Sequence, residues 1–582
     1  MSVTGNLKTN KLNITGPLTV GSNTILNARI SDECRTALSN LVIDTAWKSS
    51  YGNTVSNLTG SIGSVSVLSL PYNNNVFTPV AAVHLYKNGD ECQYQSGILS
   101  SVPANSNLRV EEDTQYYVAS ITKTATALLY ARFKTLNIIP PGNSTTMEYF
   151  FPNMSNMKFF VPSYSTALST YIVTPATRKL YLDDIFSESV GFNCGFDGGS
   201  FLNPVTGGVS GATSSAAYNA TKSTFYGGLD ALLGTPYNVA WPYGYLTNDD
   251  GASNLAVLLG TPAGAAADIY KGAFTNPDVN FEGWLNYYNI YYDGSNLQLY
   301  DHGKLNYNSS ENFGTAVLTR AYHRAYPASN TMSYFEILRK ELLIPLGSGL
   351  IDKYVYGGDA NYAKIAAVWQ NKPGFYKPDP IYDLTSPFYS LFYTAYLYLS
   401  QYHKNAYGNS GLIGTLSDYS KLIQVIARKG LLKDGRRLIN ASEIANLFIP
   451  RVTADEDAQF SIAYIYGVYI KTFALAGLSR GPSYEDGSLI SPGSYLNVRP
   501  DQGILKQADM GRGQTYSAPL NEYGWIGASG IHMFVCPDTE TCAVMATMEG
   551  NSSMSFYKFY DTVTDIIQNE YFNKGVNIYT AP

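Results

Sequence analysis

A serine and a lysine three residues apart, Ser120 and Lys123, have types and spacing that suit covalent catalysis. Positions i and i+3 of a helix lie on one face, one turn apart. Ser120 follows an extended stretch and precedes an apolar run containing Leu128 and Leu129, so we expect it at a helix N-terminus. Burial and the positive end of the helix dipole disfavour a charged amine there, and a neutral amine can take the serine proton. The pair predicts a serine nucleophile with a lysine base.

The Ser-x-x-Lys spacing is weak evidence by itself, because about two matches are expected by chance in a chain of this length. Ser155/Lys158 and Ser555/Lys558 are further matches. Ser155 follows Phe151-Pro152 and has no helical pattern after it. The setting of Ser120, between an extended segment and an apolar helix, favours it over the others.

A second nucleophile pattern is Gly477-Leu-Ser-Arg-Gly481, with His532 as its downstream histidine. The sequence after it begins with Pro482 and cannot supply the helix that such a nucleophile turn requires. The histidines also lack the spacing of metal ligands, so we expect neither a metal nor a cofactor.

Composition narrows the function classes. The chain has 582 residues, a formal net charge of −6 and 14% charged residues, against about 25% in soluble domains. No basic run is present for nucleic-acid binding, and no apolar stretch approaches the ~18 residues of a membrane span. The N-terminus lacks the pattern of a signal peptide. We therefore expect no nucleic-acid partner and no membrane span.

The five cysteines have no C-x-x-C spacing, which argues against a zinc site or a disulfide framework. Cys536 and Cys542 flank a turn and are the one pair that a disulfide across a hairpin would join, although free thiols are favoured.

The hydrophobic pattern predicts an α+β fold, with an antiparallel sheet flanked by helices and a helical or irregular subdomain. Strand pairs are expected at both ends of the chain, the first around an Asn88-Gly89 turn, so that the termini of the fold meet in one sheet. The expected helices in the second half are 316–326, 333–343, 417–429 with Ser417 as its cap, and 555–570.

Three parts are expected along the chain. Residues 1–28 alternate apolar and polar residues between glycines and resemble the attachment or trimerisation arms of phage and virus surface fibres. A disordered or loosely docked arm is the alternative. Residues 29–74 would be a linker and 75–582 the main domain, with an insertion at about 195–300 that is rich in Gly and Tyr.

Five collinear segments resemble the serine β-lactamase and penicillin-binding-protein superfamily, closest to its class C β-lactamase and family VIII esterase branch. The first is Val118-Ala-Ser-Ile-Thr-Lys-Thr-Ala. The others begin at Lys179, Asn312, Gly408 and Tyr523, the last reading Tyr-Gly-Trp-Ile-Gly-Ala-Ser-Gly. The likeness covers about residues 75 to 570 and implies the fold of that superfamily.

Site roles follow from the resemblance. It implies that Ser120 is acylated, that Lys123 is its base, and that the backbone N–H groups of Ser120 and Ala528 form the oxyanion hole. Tyr307 is the expected proton shuttle, although an ungapped match puts Asn308 at the tyrosine position and would leave the site inactive.

Substrate class follows from the third motif. Where the penicillin-processing members carry Lys-Thr-Gly, this chain has Trp525-Ile526-Gly527, which offers an apolar wall and no cation for a substrate carboxylate. A neutral ester, or less favourably an amide, is thus expected instead of a β-lactam. A core position for the Trp525 indole is the alternative.

Two functions remain open at this stage. The first is an esterase-like serine hydrolase mounted on a virion or surface fibre, as a homo-oligomer through the N-terminal arm. The second is a non-catalytic virion structural or receptor-binding protein that keeps the hydrolase fold. A virion or extracellular location is expected, with the cytoplasm as the alternative.

Overall fold

The computed structural model describes part of the chain. The described residues are 18–20, 23–25, 29–46, 56–59, 66–71, 78–99, 108–142, 144–149, 158–165, 170–175, 179–186, 201–202, 209–210, 296–298, 311–352, 364–372, 375–378, 411–447, 464–465, 468–472, 521–527, 529–537, 539–550, 559–560, 562–564, 566–567 and 570.

The strands described in the first half of the chain range from two to eight residues. They are β1 (Leu18–Val20), β2 (Asn23–Ile25), β3 (Ser56–Thr59), β4 (Ser66–Pro71), β5 (Val80–Lys87), β6 (Asp90–Gly97), β7 (Tyr116–Tyr117), β8 (Lys158–Ser165), β9 (Thr170–Pro175), β10 (Phe201–Leu202), β11 (Val209–Ser210) and β12 (Asn296–Gln298). Strands β5, β6 and β8 are the longest of them.

The strands of the second half include the long antiparallel strands of the C-terminal part. They are β13 (Ile351–Asp352), β14 (Trp369–Lys372), β15 (Phe375–Pro378), β16 (Leu412–Gly414), β17 (Tyr464–Ile465), β18 (Val468–Thr472), β19 (Asn521–Gly527), β20 (Ile531–Cys536), β21 (Thr541–Ala546) and β22 (Glu549–Gly550).

The described α-helices are α1 (Asp32–Thr45), α2 (Thr122–Thr135), α3 (Leu182–Phe186), α4 (Glu311–Ala325), α5 (Tyr334–Leu338), α6 (Ile344–Leu346), α7 (Leu416–Ala427) and α8 (Ala441–Asn446). A π turn, Arg339–Leu343, joins α5 to α6, and short 3₁₀ turns occur at Ala119–Ile121, Met147–Tyr149 and Pro327–Ser329. The last described residues, 559–560, 562–564, 566–567 and 570, are also helical.

The main sheet has seven antiparallel strands in the order β17-β18-β19-β20-β21-β5-β6. Strand β21 pairs with β5 in the register Ala546↔Ala82, so strands from the two ends of the fold are neighbours, as predicted. The β5–β6 hairpin turns through Asn88 and Gly89, whose φ angles of 47° and 85° suit the Asn-Gly turn expected from the sequence.

Each face of this sheet carries its own hydrophobic core. Side chains at Val80, Ala82 and Tyr86 lie on the face covered by α2 and α7, and those at Ala81 and Val83 lie on the face covered by α1 and the C-terminal helical residues. The alternation along β5 is that of a strand buried on both sides, which explains why every residue of β5 is buried. The fold is therefore α+β, with an antiparallel sheet between helical layers.

Helix α1 lies within the segment that we expected to be a linker. Its Leu38 and Val42 are buried in the second core, and its N-cap Ser31 accepts a hydrogen bond from the Cys34 backbone N–H at 3.1 Å. The sequence did not predict this helix, because few large apolar side chains fall on one face of α1. Residues 29–46 therefore belong to the folded unit instead of linking to it.

Helix α7 begins two residues earlier than expected. Thr415, not Ser417, is the N-cap, and its hydroxyl accepts from the Asp418 backbone N–H at 3.1 Å, while the Asp418 carboxylate accepts from the Thr415 backbone N–H at 3.4 Å. This reciprocal pair is a capping box. Both residues are polar and capable of capping, and the choice between Thr415 and Ser417 depends on where β16 ends.

The N-terminal arm and the insertion are described only in fragments. Strands β1 and β2 pair in the register Leu18↔Ile25, in keeping with short strands between glycines. In the predicted insertion, β10 pairs with β11, and β12 pairs in parallel with β8. Attachment or trimerisation through the arm stays a prediction.

Candidate active site

Ser120 lies in the 3₁₀ turn Ala119–Ile121, which runs directly into α2. It is half-buried, whereas Ala119 and Ile121 on either side are 1% exposed. Ala119 has a φ of 46°, a left-handed conformation that costs a residue with a Cβ atom about 1 to 2 kcal/mol. Local strain of this kind is held in place by surrounding structure and is frequent at functional sites.

Lys123 is the second residue of α2 and is 2% exposed. Residues i and i+3 in a helical segment have Cβ atoms about 5 to 6 Å apart on one face. Because the 3₁₀ turn and α2 are continuous, a reachable hydroxyl and a buried primary amine thus occupy neighbouring positions on the same side of the helix start.

The start of α2 is fastened from two directions. The Thr122 hydroxyl accepts a hydrogen bond from the Leu412 backbone N–H of β16 at 3.1 Å. The Thr124 hydroxyl donates to the Met533 Sδ of β20 at 3.4 Å. These threonines flank Lys123 in the sequence, so the lysine backbone is fixed between β16 and the main sheet.

Strand β7 directly precedes the turn that contains Ser120. It pairs with β16 in the register Ile413↔Tyr117, and the Val118 N–H donates to the Leu412 carbonyl at 3.2 Å. Strands β7, β16 and β13 form a small sheet that is separate from the seven-stranded one. The nucleophile position is therefore carried by the small sheet.

Gly527, at the end of β19, packs directly on the backbone before Ser120. A Cβ atom added at Gly527 would lie 2.1 Å from the Val118 carbonyl oxygen and 3.6 Å from the Ala119 Cβ. Only glycine allows two backbones to approach this closely. The third motif and the segment that leads into the Ser-x-x-Lys motif, more than 400 positions apart, are thus in contact.

The turn after Gly527 contains a residue that sequence reasoning missed. Ser529 is fully buried, and its hydroxyl donates a hydrogen bond to the Tyr117 backbone carbonyl at 2.5 Å. The turn is closed by a hydrogen bond from the Gly530 N–H to the Gly527 carbonyl at 2.9 Å. A serine has no sequence signal for such a role, because its partner lies 412 positions away.

Trp525 is 2% exposed and belongs to the core that also holds α2. This placement is that of a core indole two residues before Gly527. A role as the apolar wall of the substrate cleft stays a proposal.

Tyr307 and Ala528 lie outside the described residues. Helix α4 begins at Glu311, four positions after Tyr307, and Gly314 in α4 packs so closely on α3 that an added Cβ would lie 2.8 Å from the Phe186 ring. Two of the segments that carry the resemblance, those beginning at Lys179 and Asn312, therefore meet in the fold.

The structure argues against two other candidates, the Ser155/Lys158 pair and a catalytic role for His532. Lys158 begins strand β8, so it does not share a helix face with Ser155, which lies outside the described residues. His532 is 2% exposed, faces away from α2 in β20, and packs its ring on Tyr560 with centroids 4.2 Å apart. Its place on the opposite face of the sheet separates it from Ser120.

The described cysteines are buried and form no disulfide with one another. Cys536 lies in the core on one face of the sheet and Cys542 in the core on the other, because Cys542 pairs with Val535 and not with Cys536. A disulfide between them is therefore wrong on geometric grounds. Burial raises the pKa of Cys34 to about 12 and that of Cys92 to about 11, which disfavours a thiolate nucleophile.

Among the described residues, no group of three or more His, Cys, Asp or Glu side chains is arranged to hold a metal ion. The helices in the same part of the chain are too short or too polar to cross a bilayer.

No protein-family model and no curated protein matches this sequence. Some solved structures are similar to it over most of the chain. Simvastatin synthase (LovD) from Aspergillus terreus is similar with a TM-score of 0.47 and 13% identity, over 85% of this chain and 95% of that one.

Two further solved structures are of the same order of similarity. EstCE1, described as a hydrolase with promiscuous acyltransferase activity, has a TM-score of 0.44 and 13% identity, over 84% of this chain and 93% of that one. A penicillin-binding-protein homologue from Caulobacter crescentus has a TM-score of 0.42 and 11% identity, over 85% and 93% of the two chains. At these levels of similarity, the function has to be argued from the site.

Proposed function

We propose that this protein is a serine acyl-transfer enzyme that forms an acyl-enzyme on Ser120 and acts on a neutral ester. The observation that carries the proposal is the placement of a half-buried Ser120 one helical turn from the buried Lys123, with Gly527 packed on the backbone just before the serine. A structural serine at a helix start would need neither the buried amine nor the close approach of a distant strand.

The chemistry requires a base, a nucleophile and donors for the developing negative charge. The Ser120 oxygen attacks the ester carbonyl while its proton passes to the Lys123 amine. The negative charge on the tetrahedral intermediate is stabilised by backbone N–H groups, for which we propose Ser120 and Ala528. Collapse breaks the bond to the alcohol, which leaves with a proton, and Tyr307 is the proposed carrier of that proton.

The second half of the reaction returns the enzyme to its starting form. Attack of water on the acyl-serine releases the acid, and attack of an alcohol releases a new ester. Both routes use the same nucleophile, base and oxyanion donors, so hydrolysis and acyl transfer are outcomes of one site.

The proposed preference for neutral esters rests on the third motif. Trp525 stands at the position of the lysine in the Lys-Thr-Gly motif that this segment resembles, so the motif supplies no cation for a substrate carboxylate. We therefore expect turnover of p-nitrophenyl butyrate and no turnover of a chromogenic cephalosporin.

Labelling with a fluorophosphonate tests the proposal directly. The wild-type chain should gain one adduct, and peptide mass spectrometry should place it on Ser120. Ser120→Ala should remove the adduct and lower ester hydrolysis by at least about 1000-fold, since removing a nucleophile leaves only binding and oxyanion contributions. Lys123→Met, which keeps the length of the side chain without the amine, should also prevent labelling.

The matched control is Ser348→Ala, because Ser348 is also half-buried and its hydroxyl donates to the Asp418 carbonyl at 3.0 Å, outside the site. This variant should label like the wild type. Labelling of Ser120→Ala at the wild-type rate would rule out the proposal, as would a folded wild-type chain that neither reacts with the probe nor hydrolyses the ester.

A further inference from the structure

The two backbone donors of the proposed oxyanion hole follow, in the sequence, strands of two different sheets. Ser120 follows β7 of the small β13-β16-β7 sheet, and residue 528 follows β19 of the seven-stranded sheet. Strands within one sheet have their spacing fixed by the ladder of backbone hydrogen bonds. The distance between donors that follow strands of two separate sheets must be set by contacts that cross the boundary between them.

Ser529 makes such a contact. Its fully buried hydroxyl donates to the Tyr117 carbonyl at 2.5 Å, three positions before Ser120, and Ser529 itself is adjacent in sequence to Ala528. The bond therefore joins the segment that carries one donor to the segment that carries the other.

Backbone hydrogen bonds of Gly527 and Gly530 hold the chain on either side of Ser529. The Gly530 N–H donates to the Gly527 carbonyl at 2.9 Å. The Gly530 carbonyl in turn accepts from the Thr547 N–H at 2.8 Å and the Thr547 hydroxyl at 3.3 Å. Gly530 has a φ of 84°, and an added Cβ would lie 2.4 Å from the Glu549 nitrogen, so the Gly530 backbone packs closely against the chain that follows β21.

Two contacts fix the distance between the segment before Ser120 and the segment at the end of β19. The contact of Gly527 with the Val118 carbonyl prevents the two segments from coming closer, since the backbones already touch. The Ser529 hydrogen bond prevents them from separating. The close contact and the hydrogen bond together fix the distance between the two segments, and neither would fix it alone.

We infer that Ser529 is a positioning residue that sets the separation of the two oxyanion-hole donors through its hydrogen bond to the Tyr117 carbonyl. This inference rests on the proposed function. It adds a residue whose hydroxyl does not touch the substrate and acts through the backbone on either side of the boundary.

The consequence is a selective loss of transition-state stabilisation. A misplacement of about 1 Å in a catalytic group costs on the order of 100-fold in rate. Ser529→Ala should therefore lower kcat for p-nitrophenyl butyrate by about 10- to 100-fold with KM changed less than about threefold. A phenylboronic acid, which forms a tetrahedral adduct with the serine, should lose affinity by a similar factor because it needs the same donors.

Two further variants complete the experiment. Ser529→Cys keeps nearly the same volume with a weak donor, so it should fold and show the same selective loss to a smaller degree. Ser420→Ala is the matched control, because Ser420 is also fully buried, accepts a hydrogen bond from Gln424 at 3.0 Å, and lies on α7 away from the turn. It should leave kcat and the boronic acid affinity unchanged. Thermal unfolding of each variant gives the folded fraction by which its kcat is corrected.

The outcomes separate the two proposals. Folded Ser529 variants with wild-type kcat and boronic acid affinity would overturn the positioning role while leaving the acyl-enzyme in place. Loss of activity that is accounted for by unfolding, with normal kinetics for the folded fraction, would also overturn it. A wild-type chain that does not react with the fluorophosphonate would overturn both.

Discussion

The nucleophile segment is shaped by a residue that has no side chain. Gly527 lies where an added Cβ would be 2.1 Å from the Val118 carbonyl oxygen, well inside any allowed contact. The neighbouring Ala119 already holds a left-handed φ of 46°. The backbone around Ser120 therefore has little freedom to yield.

At the residue scale, we expect Gly527→Ala to separate the two segments and to disable the site. Overpacking of this kind costs about 1 to 3 kcal/mol in the free energy of unfolding. Fluorophosphonate labelling of Ser120 should be lost or slowed by more than about 100-fold, because the oxyanion donors move apart.

The control for this substitution is Gly435→Ala. Gly435 has no atom within 4 Å of an added Cβ, although its φ of 86° makes any side chain costly there. It should lower stability without slowing the labelling reaction. Equal labelling of the Gly527 and Gly435 variants would contradict the role of the close approach.

At the scale of elements, helix α2 is a central rod that is buried on all sides. Every residue from Thr122 to Ala131 is buried, including three threonines and Lys123 near the start of the helix. Such a helix shows little amphipathic pattern and owes its stability to surrounding elements. This environment keeps Lys123 away from solvent while Ser120, on the preceding turn, stays accessible.

Helix α7 covers the same face of the sheet and depends on its cap. We expect Thr415→Ala to lower the free energy of unfolding by about 1 kcal/mol, because it removes the hydroxyl that accepts from the Asp418 N–H. Ser417→Ala, at the cap position expected from the sequence, should change it by less than about 0.5 kcal/mol. Urea denaturation of both variants measures the difference, and a larger effect at Ser417 would place the cap there instead.

At the scale of the whole molecule, the two ends of the described fold are tied by a buried ion pair. The Lys87 amine on β5 lies 2.8 Å from the Glu570 carboxylate, with side chains 5% and 4% exposed. The same carboxylate accepts from the Ser31 hydroxyl at 2.6 Å and the Ser31 N–H at 3.1 Å at the start of α1. One side chain thus holds helix α1, strand β5 of the main sheet and the C-terminal helical residues together.

We therefore expect Glu570→Gln to lower the free energy of unfolding by about 3 to 5 kcal/mol, since it leaves the Lys87 charge buried without compensation. The double variant Lys87→Met/Glu570→Met should recover much of this loss because it removes both charges. Chemical denaturation with tryptophan fluorescence measures each change.

An exposed pair serves as the comparison. Lys364 and Asp113 form an ion pair with side chains 52% and 56% exposed. Lys364→Gln should cost much less than Glu570→Gln, as is usual for surface pairs in water. A cost at Glu570 no greater than that at Lys364 would show that the buried pair does not hold the ends of the fold.

The sequence alone determined those features whose causes are local. The Asn88-Gly89 hairpin, the strands on either side of residue 537 and the helix after Ser120 all form where predicted, because turn chemistry and apolar periodicity act over a few residues. The resemblance in the third motif also pointed to Gly527.

Only the tertiary structure decided what depends on residues far apart in the chain. It placed α1 in a core instead of a linker, put Cys536 and Cys542 on opposite faces of the sheet, and showed that Ser529 bonds the strand leading to Ser120. A buried hydroxyl, a cap or a close backbone contact has the same residue type whether or not a partner is present. The partner is supplied by the packing of two sheets, and a sequence pattern carries no information on which residues that packing brings together.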